Sequence, residues 1–540
     1  MVPARLCARL LAAALLLSGS AACSSGDQAE AGGKELTFAA YAEPDCLDPQ
    51  VSALDVTSLV DRSLFDSLVA RTPDGKFHPW LAERWTVSPD GRTYTFHLKP
   101  GVEFHDRTPL DAAAVKATLD RAVAPETKSR YAASLLRAYK GSEAVDATTV
   151  KVELSRPDAS FLYAVSTAFL GIQSPASVKT NAAGLCAKPV GSGPFQFVSW
   201  TRNKNIVLAK NARYGWGPGY AERTGPAALD KLTIAFVPES SVRIGLLTSG
   251  EADVVDNVPP ANVKTVESGR SRLLRADVPG AVFGVFLNST HGALADERVR
   301  KALVRSIDLD KLVQSVYFGQ YRRAWSLLSP STTGYEPATE GTWTPDQALA
   351  GRLLDEAGWT GRDDQGYRTK DGKRLTLRWP YVELLMRDGR YLLAQGVQAA
   401  AKQVGIEVQL ISEDGGALGR ELLAKTPTLD LFGNSFASPE PDILRYYFGA
   451  DRTPPQGGGN FFHLSQGPLD GWLRDAVATT DTAARDRLYS QAQKYLIEHA
   501  LVIPTYVPVR LVGTAKEVSG VRFDANAYPL FYEAVAGNAT

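Results

Sequence analysis

Residues 375–410 read LTLRWPYVELLMRDGRYLLAQGVQAAAKQVGIEVQL, and this stretch decides the fold class. Leu375, Leu377 and Trp379 alternate with polar neighbours, the period of a half-buried strand. Tyr391 to Val404 follows a helical pattern that Gly405 ends, and Ile406, Val408 and Leu410 then alternate again. Such a β-α-β unit crosses over right-handed and makes parallel strands.

The segments before it add helices and hairpins. Leu309, Leu312, Val313 and Val316 keep helical spacing, and Gly319 closes the run. Thr344, Pro345 and Gln347 predict a capping box with proline at the first helical position. That helix continues through Leu349, Leu353, Leu354 and Ala357 and stops at Gly358. Nearer the N-terminus, a Ser88-Pro89-Asp90-Gly91 turn leads into alternating Tyr94, Phe96 and Leu98, a half-buried hairpin. A similar turn lies at Pro73-Asp74-Gly75, and residues 110–123 are predicted helical from Val115, Leu119 and Val123. Hairpins mixed with crossovers make this an α/β chain of several lobes.

A length of 540 residues fits roughly three units. The hydrophobic share of 44% and charged share of 22% are those of a globular protein. Lys+Arg and Asp+Glu each total 59, which excludes the broad basic field of a nucleic-acid binder. After the N-terminus no apolar run is long enough to span a bilayer.

The N-terminus sets the compartment. Arg5 and Arg9 precede a short apolar core, Leu10 to Leu17, and then small residues run up to Cys23. This resembles a bacterial lipoprotein signal, with residues 1–22 cleaved and Cys23 lipidated; Ser20 stands where leucine is usual. Residues 23–34 read as a flexible tether, and the expected location is the extracytoplasmic face of a bacterial cell membrane. Cys46 and Cys186 then remain as a pair in an oxidising compartment, most simply a disulfide. Neither cysteine lies in a C-x-x-C or a His-rich cluster, so a metal site is the poorer explanation.

Catalytic signatures are missing. There is no G-x-S-x-G, H-E-x-x-H or phosphate-binding G-x-x-x-x-G-K-[ST]. Gly191-Ser192-Gly193 begins like a dinucleotide loop, but Pro194 and Gln196 break it. The six histidines include no pair at ligand spacing, and Asp308, Asp310, Asp363 and Asp364 sit where helix starts or turns explain them. The expectation is a protein that is not an enzyme, with no metal and no cofactor.

A series of short motifs, in order, points to a family. It includes Glu43-Pro44, Leu47-Asp48-Pro49, Leu64-Phe65-Asp66-Ser67-Leu68, Pro79-Trp80-Leu81-Ala82-Glu83-Arg84-Trp85 and Gly101-Val102-Glu103-Phe104-His105-Asp106. Val190-Gly191-Ser192-Gly193-Pro194-Phe195, Ser249-Gly250-Glu251-Ala252-Asp253, Glu356-Ala357-Gly358-Trp359 and Ile503-Pro504 continue it. Over residues 35–535 the chain resembles the family 5 extracellular solute-binding proteins, the oligopeptide-, dipeptide- and nickel-binding components of ABC importers.

The resemblance implies a periplasmic-binding-protein-like fold of type II with three lobes and a hinged cleft. Lobe I would comprise 35–70, 186–285 and 505–540, lobe II 71–185, and lobe III 286–504, with crossings near 285 and 505. The partners implied are a small solute, most simply a peptide, and the permease subunits of an importer; the chain is expected to be a monomer bound to the membrane only through its lipid. The resemblance also suggests a cleft wall of Tyr41, Glu43, Asn434, Ser435, Phe436, Ala437, Ser438 and Tyr506, with Tyr381 and Glu383. In many relatives a carboxylate near an Asp/Glu-Pro step pairs with the ligand's ammonium. Aligning Glu440-Pro441 on that step puts Ala437 at the carboxylate position, so the anchor is missing; Glu440 or Asp442 could substitute, or could simply serve the loop. Nickel is disfavoured because His463 has no nearby histidine. The alternatives are the same scaffold binding a non-peptide solute or acting as a sensor, and, after them, a secreted hydrolase.

Overall fold

The computed structural model describes residues 34–386 and 388–537; the expected signal peptide, Cys23 and nearly all of the tether lie outside them. Its first sheet has seven strands in the spatial order Ser271–Asp277, Val509–Ala515, Val254–Val255, Glu35–Ala40, Lys231–Phe236, Asn205–Lys210 and Phe195–Thr201. Glu35–Ala40 runs parallel to both of its neighbours, and the remaining pairs are antiparallel. Side chains alternate across a strand. Leu36, Phe38 and Ala40 therefore enter one core and Ala39 the other, so the sheet is covered on both faces.

A second sheet is antiparallel, in the order Ala82–Val87, Thr93–Leu98, Thr149–Leu154 and Tyr139–Ala144. The expected alternation appears as buried Tyr94, Phe96 and Leu98, which share a core with helix Ala112–Val123. Asp111 starts that helix by accepting the Ala114 N–H at 2.9 Å.

The third region holds a sheet with Gly280–Leu287 between Leu431–Ala437 and Val502–Tyr506. Beside it Thr376–Tyr381 pairs in parallel with Glu407–Ser412 across helix Arg390–Gln403, as the β-α-β pattern predicts. One expectation needs correction. Helix Gln347–Glu356 is capped by Asp346, which accepts the Leu349 N–H at 2.8 Å, and not by Thr344. An aspartate next to the first turn reaches the orphan N–H groups directly, leaving Thr344 to accept from Arg305.

Two segments carry the chain from the first sheet to the third. The changeover falls at Val278-Pro279 and Val507-Pro508, a little before 285 and after 505. Prolines cannot donate to a ladder, so pairing breaks there; the Val278 N–H still donates to the Pro508 carbonyl at 2.9 Å. Gly280 follows with φ +103°, and a Cβ there would sit 2.3 Å from the Phe436 oxygen. Only glycine accepts both conditions.

A disulfide joins Cys46 to Cys186, closing a 140-residue loop around the whole second sheet. Such a link restricts the unfolded chain, and its loss costs about 2–5 kcal/mol. We expect Cys46→Ser/Cys186→Ser to lower the unfolding free energy measured in urea by that amount while leaving the folded circular dichroism spectrum unchanged.

Candidate functional site

The third sheet leaves part of one edge open; beside the start of its strand Leu431–Ala437 the Asp430 N–H donates to the Arg378 carbonyl at 3.0 Å. Among the described residues Leu431–Ala437 pairs only with Gly280–Leu287. The Ser438 N–H donates to Pro279 at 3.1 Å, so by alternation the Ser435 and Ala437 N–H groups point away from that partner. The Ser435 N–H is taken by Asn434 Oδ1 at 2.6 Å. Ala437 keeps an outward N–H.

That edge borders a cavity of about 680 Å³. Ser435, Phe436, Ala437, Arg390 and Tyr506 line it from the third region; Tyr41, Asp55, Arg510 and Tyr528 line it from the first sheet and the segments next to it. Arg130 and Tyr131, between strands of the second sheet, and Tyr163 and Phe169, which follow that sheet, complete the lining. Two further chambers of about 320 Å³ and 420 Å³ share lining residues with it, the first through Tyr131 and Phe436, the second through Tyr41 and Tyr321.

Each wall has its own electrostatics. Arg390 donates to Tyr506 Oη at 3.1 Å and Ser435 Oγ at 2.9 Å and lies over the Phe283 ring. Among the described residues no carboxylate is within 4.0 Å of it. On the first-sheet side, Arg510 is held by both oxygens of buried Asp256 at 3.0 and 3.2 Å. Asp55 accepts from Tyr41 Oη at 2.5 Å. Burial and then the Asp55 carboxylate push the Tyr41 hydroxyl well above the ordinary tyrosine range. Arg130 is paired with Asp45, and Asp388 is exposed at the rim.

Glu440 closes the neighbouring chamber. It is buried, and its two oxygens bind Arg71 and Arg485, each at 2.6 Å. Arg71 also donates to the Pro439 carbonyl at 3.1 Å, and Ser160 Oγ to Glu440 at 3.3 Å. The carboxylate thus joins residues 71 and 160 to residues 440 and 485. Burial raises its pKa, but Arg485 and Arg71 outweigh burial and hold it below the usual glutamate range. Glu440 is therefore committed to a clasp and does not stand in for the missing anchor. Asp442 accepts from Tyr489 at 3.2 Å and is pushed up to about 6 by burial.

Of the residues singled out from sequence, Tyr41, Ser435, Phe436, Ala437 and Tyr506 line the cavity. Ser438 lines the adjoining chamber, and Asn434 is turned onto its own strand. Glu43 faces elsewhere: it accepts from Trp200 Nε1 at 2.8 Å and the Asn203 N–H at 3.0 Å. Tyr381 packs on Tyr391 with ring centroids 5.5 Å apart, and Glu383 is exposed. Arg390, Asp55, Tyr321 and Arg510 went unnoticed in the sequence. Arg390 had left a signal, since a cation at the first position of a helix opposes the helix dipole.

Among the described residues no group of three His, Cys, Asp or Glu could hold a metal ion, and no helix is long and apolar enough to cross a membrane. The family described as "Bacterial extracellular solute-binding proteins, family 5 Middle" matches residues 76–456. The chain is 29% identical over 501 residues to the glutathione-binding protein GsiB of Escherichia coli K12, covering 90% of this chain and 91% of the relative. NikA from Brucella suis, solved with Fe(III)-EDTA, superposes with a TM-score of 0.81 at 26% identity, over 93% of this chain and 99% of NikA. DppA from Helicobacter pylori, solved with the peptide STSA, shares the fold with a TM-score of 0.75 at 24% identity, over 94% and 98% of the two chains.

The clasp sets a pH dependence. A depressed Glu440 contributes stability above its unfolded pKa near 4.5 and loses it as pH falls below that value. Asp66 and Asp442 are both pushed up to about 6 by burial, so they cost stability above pH 6 and less as pH falls toward 4. We expect the melting temperature to peak between about pH 4.5 and 6. Glu440→Gln, which leaves two buried guanidinium groups short of a counter-charge, should destabilise by about 3–5 kcal/mol at neutral pH and flatten the acid limb of the profile.

Proposed function

We propose a peptide-capturing role on one premise: the chain belongs to the bacterial extracellular solute-binding proteins of family 5, which serve ABC importers. It has the family's type II periplasmic-binding-protein fold, and it is a binding protein rather than an enzyme. Within that role it takes up a short peptide or peptide-like solute in the cavity between the first and third sheets and delivers it to the permease. The observation that carries this reading is the open strand edge at Ser435–Ala437, which borders the 680 Å³ cavity. An extended ligand adding to such an edge gains main-chain hydrogen bonds without its side chains being read, and water fills the pockets around varied side chains. The glutathione-binding relative, by the ligand in its name, favours a solute of this kind.

Lobe I, around the first sheet, and lobe III, around the third, would swing about Val278-Pro279 and Val507-Pro508, with lobe II carried between them. A ligand touching both walls favours the closed arrangement because it makes contacts there that the open one lacks. Cys23 would hold the mature protein, as a monomer, to the outer face of the membrane through its lipid, within reach of the permease.

Arg390 would take the ligand's carboxylate. Its guanidinium faces the cavity beside the strand edge, and charge-assisted hydrogen bonds of this type are the strong ones. Mass spectrometry of molecules released by denaturing purified residues 24–540 should find short peptides; a single non-peptide species would replace the proposed substrate. Arg390→Gln should weaken peptide binding by about ten- to a hundredfold in calorimetry and abolish the preference for a free C-terminal carboxylate over its amide.

A further inference from the structure

Ala437 puts no charge on the strand edge, and Glu440 beyond it is engaged by two arginines. A receptor for a zwitterion must then find its anion elsewhere. Apart from Asp388 at the rim, the described carboxylate lining the main cavity is Asp55, on the first-sheet side.

Asp55 opens helix Asp55–Leu64 and is half-buried. Both of its hydrogen bonds within the protein fall on one oxygen: Oδ1 accepts from Tyr41 Oη at 2.5 Å and from the Val56 N–H at 2.9 Å. Oδ2 takes none among the described residues, nor is it a sealed, unsatisfied atom. No Lys, Arg or His among them lies within 4.0 Å of the carboxylate. The nearby guanidinium, Arg510, binds both oxygens of Asp256. Tyr528 lies under Arg510, 4.9 Å from ring centroid to guanidinium carbon, and adds a π face to the same corner. Arg390, which also lines the cavity, has no carboxylate within 4.0 Å among the described residues. Arg130, another lining cation, is neutralised by Asp45.

We propose that Asp55, at the start of helix Asp55–Leu64, is the ammonium anchor. This rests on the peptide-receptor reading above. A bound zwitterion lies across the cleft with its ammonium on Asp55 Oδ2 and its carboxylate on Arg390. Each terminus therefore belongs to a different lobe, and a ligand lacking either charge loses part of what closes the cleft. Tyr41 orients the carboxylate by fixing Oδ1, leaving Oδ2 to the solute.

The test uses a casein-derived pool of di- to tetrapeptides and the same pool after N-acetylation. Each is incubated with residues 24–540, passed through a desalting column and quantified by mass spectrometry. Wild type should retain the free pool and bind the acetylated pool about tenfold or more weakly. Asp55→Asn, which preserves an acceptor for Tyr41, should fall to the wild-type level for acetylated peptides and lose the distinction, with an unchanged melting temperature. Equal retention of both pools by wild type, or undiminished discrimination by Asp55→Asn, overturns the anchor while leaving the peptide receptor in place. Retention of neither pool overturns the receptor reading and the anchor with it.

Discussion

One buried carboxylate, Glu440, ties together distant parts of the chain beside the cleft. Removing Glu440 from water costs several kcal/mol, and an ion pair recovers that cost only when the geometry satisfies all of the lone pairs. Here each oxygen has its own guanidinium, and Ser160 adds a third donor. The partners come from distant parts of the chain: Arg71 ends strand Val69–Arg71, Arg485 lies on helix Thr482–Glu498, and Glu440 follows the open-edged strand. Arg71 in turn lies over Tyr163, which lines the main cavity. A change in the clasp is thus felt at the wall against which a solute would pack.

The cavity divides its work between charge and backbone. Its walls carry aromatic rings, with Tyr321 and Tyr506 stacked 5.5 Å apart and Tyr317 packed against both at 4.6 and 4.4 Å. Such rings offer broad apolar contact at low entropic cost. Directional contacts come from the strand edge and from the charges lining the cavity. Neither kind reads a ligand's side chains, whereas both read its length and ends. The interception of the Ser435 N–H by Asn434 sharpens this, because it leaves Ala437 as the outward donor on that face.

The sequence revealed local features and concealed distant ones. Alternation at Tyr94, Phe96 and Leu98 and the two periods flanking Gly405 were legible because each reports a strand or helix by itself. The cap at Asp346 was misread because Thr344-Pro345 supplies a competing local signal and only backbone geometry decides between them. In the site, Tyr41 and the 435–437 strand reach the cavity, while Glu43 is drawn away by Trp200, 157 residues distant. No periodicity encodes such a pairing. Likewise, Asp55 and Arg390 are ordinary helix-start residues in sequence; that neither has an ion-pair partner among the described residues is visible only in the folded chain.

The central claim is that a peptide adds to the open edge at Ser435–Ala437. Hydrogen exchange followed by mass spectrometry measures it most directly, comparing peptides that cover residues 431–438 with and without the casein-derived pool. The account predicts slowed exchange in that segment on binding, together with the segment around Tyr41 and Asp55. Saturable binding that leaves exchange in 431–438 unchanged would contradict it.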